Sequence, residues 1–227
     1  MKLLVTDYDN TLEMHYEFTD NCSILKRNIE AINKFMERNL VCIATGRHFD
    51  AIHKTLIENS IKFNYLCANN GAELYDASYN LLFCQPLDEF DIDVLKKLGE
   101  RVFFRKCWNS ELIPSANLYF DDLKEYEDIK RYLNSNLKYA FVEYKFPKIK
   151  VINKKCNKLN AINIIQNLKK IDDKDIYTVG DDINDIQMIL RYNGYSLITA
   201  CEETKKVALK LYRELNQLID YIDMKQD

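Results

Sequence analysis

Two aspartates, Asp7 and Asp9, follow a short apolar run near the start of the sequence, LLV at residues 3–5. A spacing of two residues at the end of a strand can direct both side chains to the same side, which brings two carboxylates to one site. A solvated strand end can carry the same residues. The pair therefore gains meaning only from the rest of the chain.

Two further polar clusters also follow apolar runs. Thr45-Gly46-Arg47 offers a hydroxyl, an approachable backbone amide and a cation, which are the groups that bind phosphate. The segment from Gly180 to Asp185, GDDIND, packs three carboxylates and an amide into one strand-to-helix turn, where mutual repulsion is costly unless a hard cation is bound. An acidic helix start would account for Asp185 but hardly for all three carboxylates.

A single lysine, Lys158, lies near the start of a predicted helix in a strongly basic segment, KKCNKLNAI at residues 154–162. A charge run of this kind is most often a solvated face. Lys158 becomes a candidate functional residue only through its position in the order of the other clusters.

The elements that must position these clusters follow from the hydrophobic pattern. Apolar runs at residues 3–5, 40–44 and 176–179 end abruptly in polar residues and predict buried parallel strands. Residues 23–38 between the first two runs have helical spacing of apolar side chains. The alternation predicts an α/β fold with a doubly wound parallel sheet, in which ligands bind beyond the carboxyl ends of the strands. The clusters are expected to converge there.

The pattern changes character in the middle of the chain, where hairpin-like runs, aromatic strands and helices near residues 91–98 and 124–133 follow one another. We expect a smaller inserted α+β domain at residues 77–149 and a core formed by residues 1–76 and 150–227. The α/β pattern then resumes and ends in one predicted C-terminal helix, whose apolar stripe runs from Val207 through Leu211 to Ile222.

The composition is that of an ordinary globular protein, because the 227 residues are 47% hydrophobic and include only 5 Gly and 3 Pro. The 32 basic and 35 acidic residues give a net charge of −3, which lacks the basic footprint of non-specific nucleic-acid binding. The N-terminal apolar stretch is too short for a signal peptide, and no later run approaches ~20 apolar residues. We expect a cytoplasmic monomer or homodimer with a small-molecule partner and neither nucleic-acid nor membrane partners.

Taken in order, the clusters resemble the haloacid dehalogenase-like hydrolases, specifically the Cof-type branch, whose C2 cap domain is inserted between the second and third motifs. Asn70-Gly71-Ala72 also matches a turn typical of that branch. The four motifs of the family correspond to Asp7-Tyr8-Asp9-Asn10-Thr11-Leu12, Thr45-Gly46-Arg47, Lys158, and Gly180-Asp181-Asp182-Ile183-Asn184-Asp185.

The resemblance implies a Mg²⁺-dependent phosphatase that acts on a small phosphorylated metabolite, such as a sugar phosphate, through an aspartyl phosphate. Asp7 would be the nucleophile, and Asp9 would protonate the leaving oxygen and then activate water. Mg²⁺ would be held by Asp7, the backbone carbonyl of Asp9 and Asp181, with Asp185 orienting its water. The phosphate would be bound by Asn10, Thr45, Gly46, Lys158 and Asn184.

Two departures from the family pattern affect the assignment. Asn10 stands where Gly is usual, and Asn is the residue that best tolerates a left-handed conformation after Gly. Leu159 follows Lys158 where Gly is usual, so Lys155 is a second candidate for the third motif.

The insert would close over the site as a lid and set substrate choice. Its candidate contacts are Arg101, Arg105, Lys106 and Trp108, although alternating charges on a strand more often mark a solvated face. Two alternatives to a phosphatase stay open, a phosphomutase on the same scaffold and a non-catalytic protein that binds a phosphorylated ligand.

Overall fold

A computed structural model of the chain describes residues 1–15 and 22–225. The N-terminal part forms β1 (Leu3–Asp7), β2 (Glu13–His15), β3 (Cys22–Ile24), α1 (Lys26–Phe35), β4 (Leu40–Ala44), α2 (Phe49–Glu58), β5 (Tyr65–Ala68), β6 (Glu73–Asp76) and β7 (Leu81–Cys84). The middle part continues with α3 (Glu89–Lys96), β8 (Phe103–Arg105), β9 (Ser115–Tyr119), α4 (Leu123–Asn136), β10 (Ala140–Lys145) and β11 (Lys148–Asn153). The C-terminal part contains α5 (Lys158–Lys169), β12 (Ile176–Gly180), α6 (Ile186–Arg191), β13 (Asn193–Leu197), α7 (Glu202–Val207), β14 (Leu211–Tyr212) and α8 (Leu215–Met224).

The central sheet confirms the predicted α/β fold. Among the described residues it has eight strands in the order β14-β13-β12-β1-β4-β5-β6-β7. The strands from β14 to β5 run parallel, and the hairpin of β6 and β7 adds antiparallel to the edge. From β1 the chain adds β4 and β5 on one side and later adds β12, β13 and β14 on the other, so the strand order reverses between β1 and β12. Open α/β sheets bind ligands at such a switch point.

Helices cover both faces of this sheet because the strand side chains alternate between two apolar clusters. Leu4 packs on one face with residues of α1, α2 and α8. Leu3 and Val5 pack on the other face with residues of α5 and α6. All three side chains are fully buried. The doubly wound arrangement therefore fixes the strand ends against a solid core on both sides.

The middle part of the chain forms a four-stranded antiparallel sheet in the order β10-β11-β9-β8. One face of that sheet packs against the helices α3 and α4 through Leu95, Leu118, Leu133, Ile149 and Val151. An α+β unit of the predicted kind is thus present between α/β segments. We call this four-stranded sheet with α3 and α4 the cap.

The two sheets divide the chain at other positions than the predicted domain limits, residues 77 and 149. Strand β7, at Leu81–Cys84, extends the central sheet, although the prediction placed it in the insert. Strand β11, at Lys148–Asn153, lies wholly in the cap sheet and crosses the predicted limit. The division into a core and a cap domain stays a proposal, with limits near residues 85 and 154 in better agreement with the sheets.

The predicted single C-terminal helix is wrong. Val207 ends α7, and the chain then forms the short strand β14 before α8 begins at Leu215. Leu211 and Tyr212 pair in parallel with Ser196 and Leu197 of β13, so tertiary pairing at the sheet edge overrides the helical spacing of the apolar residues. Within residues 1–15 and 22–225, none of the helices combines the length and the apolar character that crossing a bilayer requires.

Candidate active site

The predicted polar clusters meet at the carboxyl edge of the central sheet. Asp7 ends β1, Thr45 follows β4, and Asp181 follows β12, and these three strands are neighbours. Asp7 and Thr45 are buried, and Asp181 is 8% exposed. The convergence follows from parallel pairing, since parallel strands end at the same edge of the sheet.

Asp7 and Lys158 are in direct contact at the centre of this edge. The Lys158 ammonium donates hydrogen bonds to Asp7 Oδ1 and, at 2.7 Å, to Asp185 Oδ1. Its side chain is only 1% exposed. Burial lowers the pKa of Lys158, but the Asp185 and Asp7 carboxylates outweigh burial and raise it. Lys158 is thus a buried cation. Lys155, the second candidate, has an exposed side chain.

The turn Asn69–Gly71 explains how helix α5 delivers Lys158 to the site. Its three residues have φ values of 50°, 54° and 89°, which is the left-handed region. A Cβ on Gly71 would lie 2.0 Å from the carbonyl oxygen of Asn157, the N-cap of α5. Only glycine lets the start of α5 come this close to the sheet edge.

Gly71→Ala is therefore expected to destabilise the protein more than Gly99→Ala. Both glycines have positive φ, but a Cβ on Gly99 would meet nothing within 4 Å. The left-handed conformation alone costs about 1–2 kcal/mol, and the clash at Gly71 should add about 1–3 kcal/mol. Urea denaturation of both variants measures the difference. Equal losses would show that α5 moves away at no cost.

Gly180, like Gly71, allows a close approach that a side chain would prevent. A Cβ there would lie 2.3 Å from Asp185 Cγ, so the absence of a side chain lets Asp185 fold back beneath the loop. The fully buried Asp185 accepts hydrogen bonds from the backbone N–H groups of Asp181 at 3.1 Å and Asp182 at 3.2 Å. Asp182 itself points to solvent and caps the turn through the N–H of Ile183 at 2.8 Å.

Asp7, Asp181 and Asp185 form a buried carboxylate cluster, with one oxygen of each within 4.8 Å of the others. Burial raises the pKa of Asp7 well above its usual range, although Lys158 opposes the shift. Burial and the Asp185 carboxylate raise the pKa of Asp181 to about 6. Asp7 Oδ2 is buried without a hydrogen-bond partner among the described residues. Crowded hard oxygen ligands with an unpaired oxygen fit a cation such as Mg²⁺.

Asp9 lies outside this cluster and is held by Arg47. The Arg47 guanidinium donates to Asp9 Oδ1 from Nη2 at 2.6 Å and from Nε at 3.0 Å, and it also pairs with Glu13. The Asp9 side chain is 37% exposed. Asn10 follows with a φ of 53°, the left-handed conformation in which Asn replaces Gly most easily.

A second set of contacts joins the site to the cap. Asn184 Nδ2 donates to Asn70 Oδ1 at 3.0 Å, and Asn70 Nδ2 donates to Glu143 Oε1 on β10 at 2.6 Å. Lys150 of β11 donates to the carbonyl of Gly46. Cap side chains thus contact the loops after β4 and β5, and Asn70 links the loop after β5 to the loop after β12.

The structure brings the predicted site residues together in two groups that differ in burial, a difference that the sequence does not show. Asp7, Lys158, Asp181 and Asp185 form the buried centre. More exposed residues surround this centre, namely Asp9, Asn10, Gly46 and Asn184, and the buried Thr45 lies beside Asp9. The sequence prediction missed the contacts of Glu13, Asn70, Glu143 and Lys150, and it gave Arg47 no role beyond a possible phosphate contact. The turn at Asn70 was the available signal for that residue.

The sequence of the chain matches a family of known proteins. The family model described as haloacid dehalogenase-like hydrolase matches residues 4–112 and 108–217. A phosphatase-named protein of Buchnera aphidicola subsp. Acyrthosiphon pisum is 31% identical over 90 residues, which are 39% of this chain and 30% of that protein. That match therefore spans less than a third of the relative's length.

Solved structures share the fold over almost the whole chain. One from Thermotoga maritima has a TM-score of 0.83 at 16% identity and covers 100% of this chain and 98% of its own. A haloacid dehalogenase superfamily phosphatase from Bacteroides thetaiotaomicron has a TM-score of 0.77 at 17% identity, with coverages of 98% and 95%. A subclass IIB sugar phosphatase of that superfamily has a TM-score of 0.76 at 16% identity, with coverages of 99% and 100%. Since the family match extends from residue 4 to residue 217, the chain is a hydrolase of the haloacid dehalogenase-like family.

Proposed function

We propose that this hydrolase is a Mg²⁺-dependent phosphatase that removes the phosphate from a small phosphorylated metabolite through an aspartyl phosphate on Asp7. The observation that carries the proposal is the environment of Asp7. Asp7 is the last residue of a buried strand, and its Oδ1 accepts a hydrogen bond from the buried Lys158 ammonium. Its Oδ2 has no hydrogen-bond partner among the described residues. The phosphatase names of similar proteins support the substrate class.

Asp7 acts as the nucleophile. One carboxylate oxygen forms a bond to phosphorus while the bond from phosphorus to the ester oxygen breaks, and the alcohol leaves. Water then attacks phosphorus, the bond to Asp7 breaks, and inorganic phosphate and the free carboxylate result. Lys158 favours this chemistry because its fixed positive charge lies beside the oxygen that must approach an anionic phosphate.

Asp9 transfers the protons. It donates one to the leaving alcohol in the first half and accepts one from the attacking water in the second. Its partial exposure suits exchange with both, and the two hydrogen bonds from Arg47 fix the orientation of its carboxylate. Arg47 is therefore a positioning residue in this proposal.

The phosphate is bound by neutral donors and one cation. In this proposal the Thr45 hydroxyl, the Gly46 amide and the Lys158 ammonium donate to the phosphate. Asn10 and Asn184 supply further donors, and Asn184 lies beside Asn70, which also contacts Gly46. A side chain at position 46 would crowd Asn70, since a Cβ there would lie 3.2 Å from Asn70 Oδ1. Donors fixed by the surrounding loops stabilise the charge on phosphate oxygens without reorganising during the reaction.

The carboxylate cluster would hold Mg²⁺ through Asp7, Asp181 and the backbone carbonyl of Asp9, with Asp185 in support. When bound, the ion offsets the repulsion between the Asp7 carboxylate and the phosphate. The residues fit a hard cation because the cluster is buried, rich in oxygen and only partly balanced by Lys158.

Hydrolysis of para-nitrophenyl phosphate tests the proposal. Purified enzyme should turn over with Mg²⁺, stop in excess chelator, and recover when Mg²⁺ is restored. Asp181→Asn should raise the Mg²⁺ concentration for half-maximal rate by about tenfold or more. If the chelator did not change the rate of hydrolysis, the reaction would not depend on a metal ion. If the protein bound a broad panel of phosphate esters tightly but hydrolysed none of them, it would be a binding protein and not an enzyme.

A further inference from the structure

A cavity of about 340 Å³ lies between the cap and the loop after β4. Gly46, Arg47 and Asn69 line it from the central sheet, and Arg105, Asn117, Lys148 and Lys150 line it from the cap strands. The cavity thus begins at the proposed phosphate site and extends beneath the cap sheet. Its volume suits a small ligand.

The cap side chains reach the cavity because of strand register. Lys150 lies directly opposite Asn117 on β9, and Lys148 lies two residues from Lys150 on β11. Arg105 lies opposite Ser115, two residues from Asn117. Residues at these positions share one face of a sheet. The opposite face packs against α3 and α4, so the polar face is turned to the site.

This polar face is rich in cations. Arg105 Nε is buried and has no hydrogen-bond partner among the described residues. Lys150 is only 6% exposed, donates to the carbonyl of Gly46 and lies directly opposite Glu143 of β10. Lys148 lies 5.8 Å from the centre of the Tyr119 ring. Burying a cation is costly, and an anionic ligand beside Arg105 would offset that cost.

Two carboxylates also lie near the cavity. Asp50 lines it with a side chain that is 59% exposed, and Glu143 accepts the 2.6 Å hydrogen bond from Asn70. The cations Arg105, Lys148 and Lys150 outnumber these two carboxylates. The Asn117 side chain is 4% exposed, and its Oδ1 has no partner within the described part of the chain. This oxygen can accept a hydrogen bond from a hydroxyl.

The other cap candidates lie elsewhere. Arg101 pairs with Glu125 and Lys106 pairs with Glu111 on exposed surfaces. Trp108 packs 5.3 Å from the ring of Phe49. Arg105 thus differs from them, because it lines the cavity beside the site and forms no ion pair with residues 1–15 and 22–225.

We propose that the substrate is a hydroxylated phosphate ester whose leaving group carries a second anionic group, a carboxylate or a phosphate, bound by Arg105, Lys148 and Lys150. Asn117 accepts a hydrogen bond from a substrate hydroxyl. The inference rests on the proposed phosphatase function. With the scissile phosphate beside Gly46, the rest of a small ester extends into the cavity, where the cations form charge-assisted hydrogen bonds with the second anion.

The test compares matched substrates. Gluconate phosphorylated on its terminal hydroxyl is compared with glucitol phosphorylated at the same position, an open chain of the same length, which isolates a carboxylate. Fructose bisphosphate is compared with fructose monophosphate, which isolates a second phosphate. We expect kcat/KM to be about tenfold or more higher for the anionic member of one pair, since a hydrogen bond between charged groups contributes about 1.5–3 kcal/mol. The pair that shows the preference identifies the anion.

Arg105→Gln should reduce this preference, the ratio of the two kcat/KM values, by about tenfold. Arg101→Gln removes the same charge from an exposed surface pair and should leave the ratio unchanged. Arg105→Lys should retain part of the preference, and it replaces the Gln variant if that variant does not fold. Equal kcat/KM values within both pairs for the wild type would overturn the proposal, as would a preference unaffected at Arg105. Failure to hydrolyse even para-nitrophenyl phosphate would instead count against the phosphatase function.

Discussion

Asp7→Asn is expected to reduce the hydrolysis of phosphate esters by about four orders of magnitude or more, because the amide cannot form the aspartyl phosphate. The substitution changes one oxygen to nitrogen and keeps the shape of the side chain. Loss of turnover therefore reports chemistry and not packing. Steady-state rates with para-nitrophenyl phosphate and saturating Mg²⁺ measure the effect.

The same variant should unfold at an equal or higher temperature than the wild type in metal-free buffer. Asp7, Asp181 and Asp185 crowd three carboxylates against one ammonium, so an amide at position 7 relieves repulsion. Lys158 keeps Asp185 as its partner. An inactive protein that is also strongly destabilised would show that Asp7 has a structural role and would leave the nucleophile unidentified.

Asp182→Asn is the matched control. It makes the identical chemical change in the motif that contributes Asp181 and Asp185, but the Asp182 side chain is exposed and lies outside the carboxylate cluster. Asn is as good an N-cap as Asp, so the turn should be preserved. We expect turnover within about twofold of the wild type. A loss comparable to that of Asp7→Asn would contradict the cluster seen in the structure.

The central strands were predictable from sequence because parallel strands buried on both faces are continuous apolar runs. Strands β9 and β11 were not predicted from the sequence, and β11 illustrates why. Lys148 and Lys150 face the cavity while Ile149 and Val151 face the cap helices, so the strand lacks an apolar run. The C-terminal error has the opposite origin, since Leu211 keeps a helical spacing that pairing with β13 overrides.

The candidate site was predictable as a set of residue types but not as an arrangement. The sequence shows three aspartates in one turn, yet which of them turn inward depends on the space left by Gly180. The pairing of Asp9 with Arg47 spans 38 positions, and that of Asn70 with Glu143 spans 73. The first pairing depends on which strand ends are neighbours in the sheet and the second on how the cap meets the sheet, and local patterns encode neither.

Lys158 supplies the positive charge beside the buried carboxylates of the site. The buried ammonium is the charge that offsets Asp7 and Asp185, and its position at the start of α5 is fixed by the close approach of Gly71 to Asn157. A residue proposed to bind phosphate thus also balances the charge of buried carboxylates. Its proposed catalytic role would coincide with a structural one.

Lys158→Met should therefore abolish most activity and also destabilise the metal-free protein by about 3–5 kcal/mol, the usual cost of leaving a buried charge without its partner. Met preserves much of the side-chain length, so the loss reflects charge and not a cavity. Urea denaturation in chelator measures the loss of stability. Added Mg²⁺ should raise the melting temperature more in this variant than in the wild type, because the cation replaces the missing positive charge among the carboxylates.

Lys155→Met is the control for both effects, since Lys155 precedes α5 and its side chain is exposed. We expect activity and stability within about twofold and 0.5 kcal/mol of the wild type. If Lys155→Met were the more damaging change, the third motif would belong to Lys155, and the contact between Lys158 and Asp7 would have no part in catalysis. If Lys158→Met lost activity but not metal-free stability, the carboxylates would have to be protonated in the resting enzyme, and Mg²⁺ binding would then release protons that calorimetry in buffers of different ionisation enthalpy detects.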